Sequence, residues 1–250
     1  MLSYSSLARR VDGVRDPNSA RTRTVWGFLL HTTGGGVTDA AKKHGRKPID
    51  VAISTYIDSQ NGSNGYLWGG PAYVIDHDGT IYQVAPDEAL TAHAGSSRRD
   101  SQNRSNRERY IDGSWWKTVP QAAVDAWLKK WAPDPERAIH HPYGLFPSTS
   151  PNYDYVGCEM IPIGDGFGGE PMSPGLRFTR AQHDAAAKLA LDVATRHKFP
   201  DGWARSSHLL GHEDVDPIER SDSGGGWDPG FLRSEPYFDF TYVRDVCAQR

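Results

Sequence analysis

Apolar residues along the chain fall into short blocks separated by glycine-, proline- and acid-rich stretches, and the spacing inside each block predicts its conformation. Trp26–Leu30 is an apolar run ending at His31 and predicts a buried strand. Three glycines, 34–36, break it, and Val37–His44 and Asp50–Asp58 then predict two helices, followed by a glycine-rich loop over Gly62–Gly70. Ala72–Asp76 and Thr80–Val84 flank His77-Asp78-Gly79, a hairpin signal because Asp-Gly suits a tight turn. Tyr155–Ile163 predicts a second buried strand, and Ser207–Leu210 a short last one that delivers Gly211-His212.

The clearest helix is Thr179–His197. Thr179 and Gln182 make a capping box, Ala186, Leu189, Ala190 and Val193 share one face, and Pro200 lies just beyond. Residues 96–110 are polar and charged and predict a loop or exposed insertion, Ala122–Trp131 an amphipathic helix, and Pro133–Pro151 an irregular stretch. Residues 1–24 are polar and arginine-rich and predict an arm, with 25–250 as one domain carrying insertions around 37–70 and 96–151. Strands and helices alternate without strict βαβ order, so the expected class is α/β (α+β), a mixed central sheet flanked by helices.

Composition narrows the function classes. With 250 residues, 24% charged and a net charge of -3, the chain lacks the basic excess that captures nucleic acid. Two cysteines, Cys158 and Cys247, make neither a disulfide framework nor a zinc site by themselves. The N-terminus has no apolar run of signal-peptide type and no stretch reaches transmembrane length, so the expectation is a chain made in the cytoplasm without membrane insertion.

Two histidines stand at the ends of predicted strands, His31 and His212, each opening into a glycine- or acid-rich loop. Strands that aim side chains into a loop-walled cleft are a common way to build a metal site. Three protein ligands and a water make a catalytic zinc centre, so a third ligand must be Asp, Glu, His or Cys. Read singly, the two histidines are better taken as unrelated, each satisfied by local hydrogen bonds; it is their shared context that favours a metal. Glu159 stands in an apolar strand where alternation puts it with Gly157, opposite Cys158 and Met160. A carboxylate there is costly to bury without a partner or a task, unless it sits at a solvated strand edge.

Seven pieces in order, FLLHTTGGG (28–36), AYVIDHDGTIYQVAPDE (72–88), TAHAG (91–95), YVGCEM (155–160), FTRAQHDAAAKLALDVATRH (178–197), LLGHEDVDP (209–217) and WDPG (227–230), resemble the type 2 zinc-dependent N-acetylmuramoyl-L-alanine amidases, which share their fold with peptidoglycan recognition proteins. The resemblance implies zinc held by His31, His212 and the aspartate of a D-P-G tripeptide, here Asp228. By spacing alone Asp222 fits better, but Ser-Gly follows it; residues 221–227 then read as a glycine-rich insertion that returns Asp228 to the metal. Glu213, Asp214, Asp216 and Glu219 read as loop solubility, turn formation or bonds supporting His212. The resemblance makes Glu159 the general base for a zinc-bound water and the source of a proton for the leaving amine. It places His93 in the substrate cleft, within reach of the scissile carbonyl or the muramoyl-peptide chain.

Relatives carry a cation shortly before the ligand aspartate. Here Gly226 holds that place before Asp228, and the nearest cation is Arg220, two before Asp222, which can take over the oxyanion role. A second departure lies in the hairpin strand, where relatives often have histidine or tyrosine at the positions held here by Pro71, Ala72 and Tyr73; Tyr73 reads as core-facing instead of site-facing. Trp68 and Trp227, with Tyr66, Trp115 and Trp116, are loop aromatics that suit either stacking on sugars or anchoring loops; His140 and His141 read as loop residues.

The resemblance therefore implies a monomeric enzyme with one Zn2+, cutting the amide between N-acetylmuramic acid and L-alanine in peptidoglycan. Its users on that reading are a phage lysin, an injected effector or a recycling enzyme, with an immunity protein, holin or delivery apparatus as further partner and the cell wall or cytoplasm as place of action. Two other readings stay open: a peptidoglycan-binding module without catalysis, and a phage-particle or secretion-device component carrying this fold.

Overall fold

At the centre of the fold, Gly27–Thr32 (β2) and Tyr155–Met160 (β7) run parallel and in register, Gly27 opposite Tyr155 through to Thr32 opposite Met160. The computed structural model describes residues 3–11, 24–33, 35–62, 68–94, 151–164, 168–215, 220, 228–231 and 235–249. Leu209–Gly211 (β8) lies on the far side of β2; Tyr73–Ile75 (β4) pairs with β7, and Ile81–Gln83 (β5) closes an antiparallel hairpin with β4. Arg9–Arg10 (β1) adds a parallel edge to β5, giving a six-stranded mixed sheet ordered β1-β5-β4-β7-β2-β8. A separate parallel pair joins Trp68–Gly69 (β3) to Thr91–Ala92 (β6).

The helices are Gly35–His44 (α1), Pro48–Gly62 (α2), Pro151–Asp154 (α3), Arg180–His197 (α4), His212–Val215 (α5) and Phe240–Ala248 (α6) among the described residues. Both helices expected before the glycine-rich loop are present. The expected helix at Ala122–Trp131, the charged stretch 96–110 and nearly all of Pro133–Pro151 lie outside the described residues.

Alternation sorts β2 and β7 into two faces. Phe28, Leu30, Val156, Cys158 and Met160 pack with Leu189, Ala190 and Val193 of α4 and with Phe240, Val243 and Cys247 of α6. Each large apolar side chain sealed there contributes about 1.5–3 kcal/mol relative to exposure. On the opposite face α2 and its neighbours cover part of the sheet through Ile49, Ala52, Val74, Val84 and Ile161. The same face carries His31, Gly157 and Glu159, with the His93 ring lying against Gly157 and His31.

α4 is fixed at both ends. The Thr179 hydroxyl accepts from Gln182 N–H (3.0 Å) and donates to the His77 carbonyl (2.6 Å), while Gln182 Oε1 accepts from Thr179 N–H (2.9 Å) and its amide donates to the Ile161 carbonyl (2.7 Å). At the far end buried Asp87 receives the Tyr73 hydroxyl (2.6 Å), His197 Nε2 (2.7 Å) and the Arg196 guanidinium. Tyr73 is thus a core residue, as its position in the hairpin suggested. Among the described residues no helix is long and apolar enough to cross a membrane.

Candidate metal centre

Three buried side chains converge at the ends of β2 and β8. His31 Nδ1 lies 3.0 Å from His212 Nδ1 and 3.5 Å from Asp228 Oδ2, and His212 Nδ1 lies 2.8 Å from the same oxygen. His31 comes from within β2, and His212 opens α5 directly after β8, so adjacent parallel strands set the two imidazoles side by side. Asp228 arrives from a turn. Its Oδ1 accepts from Thr32 N–H at 2.6 Å, which leaves Oδ2 to face the histidines.

The donor set fits zinc. Bonds of about 2.0–2.1 Å to a tetrahedral ion put ligand atoms about 3.4 Å apart; the three spacings here are 2.8, 3.0 and 3.5 Å, so two of the contacts would open slightly around an ion. Two imidazole nitrogens facing each other also need a shared proton or a cation between them. Burial, then the neighbouring His212, lower the pKa of His31 to about 4, with Asp228 pulling the other way, so the ring is neutral and able to donate a lone pair. Burial pushes the Asp228 carboxyl up, but the charge and hydrogen bond of His212, and then His31, outweigh it and hold Asp228 well below the usual carboxylate range.

The turn bearing Asp228 is clamped by a residue that reads from sequence as a solvated loop acid. Glu213 is fully buried; its Oε1 accepts from Gly230 N–H (2.6 Å) and Phe231 N–H (2.8 Å), and its own N–H donates to the Asp228 carbonyl (3.0 Å). Asp214 is likewise buried and accepts from Gly211 N–H at 2.9 Å. The solubility reading fails for both: the D-P-G turn supplies N–H donors to Glu213, and Gly211 at the end of β8 supplies one to Asp214. Asp216 and Glu219 lie outside the described residues, as does Asp222.

Glu159 stands directly opposite His31 in the β2–β7 register. Its Oε2 is sealed from solvent without a hydrogen-bond partner among the described residues. Burial, then the charge of Asp228, push this carboxyl well above its ordinary range, and Arg220 works against them. Arg220 Nε lies 3.9 Å from Asp228 Oδ2 and is also buried without a hydrogen-bond partner among the described residues. Arg220 and Asp228 therefore meet despite the seven residues between them. Cys158 faces the core, where burial and then Glu159 raise its thiol well above the ordinary range.

His93 sits beside this cluster but turns inward. Its Nδ1 lies 2.9 Å from His31 Nε2 and its Nε2 3.1 Å from the Tyr155 carbonyl, and the residue is 7% exposed. Both ring nitrogens of His93 are thus engaged within the protein. Trp68 stands in β3 opposite Thr91, two residues before His93. Trp227, Tyr66, Trp115, Trp116, His140 and His141 lie outside the described residues.

A mixed sheet with a His-His-Asp cluster and a half-buried glutamate alongside defines an α+β fold with a candidate metal site. The chain matches the N-acetylmuramoyl-L-alanine amidase (Amidase_2) family over residues 21–231, and it belongs to that family. Solved structures similar to it include an AmpD derivative, at 17% identity over 98% of each chain with a TM-score of 0.49. Another is the endolysin amidase LysCS from Clostridium intestinale URNW, at 13% identity over 97% of this chain and 96% of that one, with a TM-score of 0.36. Comparison with curated proteins gives no match.

Proposed function

We propose that this chain is a zinc-dependent amidase that hydrolyses the bond between the lactyl group of N-acetylmuramic acid and L-alanine in peptidoglycan. Family membership supports amide hydrolysis in peptidoglycan. The observation that carries the finer reading is the convergence of His31 Nδ1, His212 Nδ1 and Asp228 Oδ2 in a buried cluster across the register from Glu159. Zinc bound by these three residues supplies a Lewis acid, able to lower the pKa of a water towards about 7 and to polarise a carbonyl.

The chain's own groups perform the rest. Glu159 takes the proton of the attacking water on Oε2, which has no hydrogen-bond partner among the described residues, and returns it to the nitrogen of the leaving L-alanine. Arg220 presents a guanidinium to the negative charge that develops on the carbonyl oxygen. Thr32 N–H and Glu213 keep Asp228 aimed at the histidines.

The test is mass spectrometry of muropeptides after digestion of purified sacculi, with zinc content measured on the same preparation. Peptides with free L-alanine amino termini, released from glycan strands that stay intact, are expected. New reducing sugar ends without such termini overturn the bond assignment, and full activity in a metal-free preparation overturns the zinc.

A further inference from the structure

Both ring nitrogens of His93 are spoken for, and the chemistry of one partner fixes the direction of the whole chain of bonds. A carbonyl can only accept, so the contact of His93 Nε2 with the Tyr155 carbonyl (3.1 Å) places the His93 proton on Nε2. A neutral His93 then has a bare Nδ1, which faces His31 Nε2 at 2.9 Å and can only accept from it. With its proton on Nε2, His31 has a bare Nδ1, the atom that points at His212 and Asp228. Three groups in series thus decide which nitrogen of His31 is free to bind.

Several features hold His93 to this task. Asn152, buried at 4% exposure, accepts through Oδ1 from the backbone N–H of both His93 (3.0 Å) and Ala94 (2.9 Å). The ring lies against Gly157, where a Cβ would come within 2.4 Å of His93 Cγ and 2.6 Å of its Nδ1. Gly157 is needed two residues before Glu159 because any larger residue would push His93 off His31. The imidazoles of His31 and His93 meet edge to face, with centroids 5.1 Å apart and planes at 80°.

We infer that His93 is a positioning residue, which locks the His31 ring in orientation and tautomer so that Nδ1 is presented to the metal, acting as a relay from the Tyr155 carbonyl. The inference rests on reading His31, His212 and Asp228 as a zinc site. A hydrogen bond to the outer nitrogen of a metal-binding imidazole fixes its tautomer and orientation, and losing it typically costs about 10–100-fold in metal affinity. His93 acts through His31 without touching substrate.

Two measurements on the full chain decide the matter without reference to activity. The zinc dissociation constant is measured by chelator competition for wild type, His93→Ala, His93→Asn and Gly157→Ala, with melting curves to check folding. His93→Ala and Gly157→Ala are expected to weaken zinc about 10–100-fold. His93→Asn keeps an acceptor oxygen near the position of Nδ1 and is expected to stay within a few-fold of wild type. Zinc binding by a folded His93→Ala at wild-type strength overturns the relay. Nitrogen-15 NMR of the metal-free wild type is independent of any variant: the relay requires the His31 proton on Nε2, and finding it on Nδ1 sinks the proposal. A wild type that takes up no zinc refutes the metal reading of the preceding section, while the imidazole spectrum still decides the relay.

Discussion

The carboxylate of Glu213 and the backbone N–H of Gly230 meet at 2.6 Å, in a buried contact that closes the turn carrying Asp228. Together with Phe231 N–H it makes Glu213 the clasp of that turn. Removing the acceptor in Glu213→Ala takes the partner from one buried and one part-buried N–H group, and is expected to cost about 1–3 kcal/mol for the buried one and less for the other. With Asp228 less firmly held, zinc affinity is expected to fall as well. Glu213→Gln retains an acceptor oxygen and should preserve most of both. Urea melts and zinc titration check this; an alanine variant equal to wild type in both removes Glu213 from the support of the site.

Glu159→Gln keeps the size of the side chain but cannot take a proton from water. Turnover on sacculi is expected to drop by about 10²–10⁴ with zinc content unchanged. Near-normal turnover in that variant shows that another group moves the proton.

Arg220→Ala tests the cation. Loss of one group that stabilises a developing oxyanion typically lowers kcat by about 10²–10³. The effect is expected in kcat, with KM little changed, since the charge it answers exists only in the transition state. A variant that raises KM and spares kcat identifies Arg220 as a substrate-binding group instead.

His31 also makes the metal-free protein sensitive to acid. Its pKa is near 4 in the folded chain and about 6.5 in the unfolded one, so between these values the unfolded state holds the extra proton. Stability is therefore complete above about pH 6.5 and falls by about 1.4 kcal/mol per pH unit as pH drops towards 4. Denaturation in EDTA at several pH values, compared with His31→Asn, should show the wild-type slope steeper by about one proton. Equal slopes refute it.

Thr179→Ala removes the N-cap of α4 and its bond to the His77 carbonyl at once. A loss of about 1–2 kcal/mol is expected, read as a lower denaturation midpoint with an unchanged urea slope.

The sequence made the central strands, the hairpin and α4 legible because each carries its own period: continuous apolar runs for β2 and β7, Asp-Gly between two short strands, and a capping box before a repeating apolar face. β1 was not legible, because two arginines with no pattern become a strand only by pairing with the edge of β5. α6 carried readable signals that went unread: Asp239 accepts from Tyr242 N–H, and Phe240, Val243 and Cys247 follow at helical spacing. Among site residues, His31, His212, Asp228 and Glu159 could be named from motif order, and the structure brings the first three together. Glu213 could not be told from its acidic neighbours, since what buries it is a turn that starts fifteen residues downstream at Asp228. His93 was legible as a site residue but not as His31's neighbour, because the partner of a ring nitrogen is decided by how strands pack, not by spacing along the chain.

His31 and His212 are separated by 181 residues, and the second stands just after β8, which joins the sheet only by pairing with β2. The cluster therefore exists only where a late part of the chain is docked beside its beginning. A nascent or truncated chain that already holds β2, the hairpin and β7 owns a single histidine of the set and has nowhere to lodge a metal. Assembly itself acts as the safety catch on a site suited to cutting the wall of a cell.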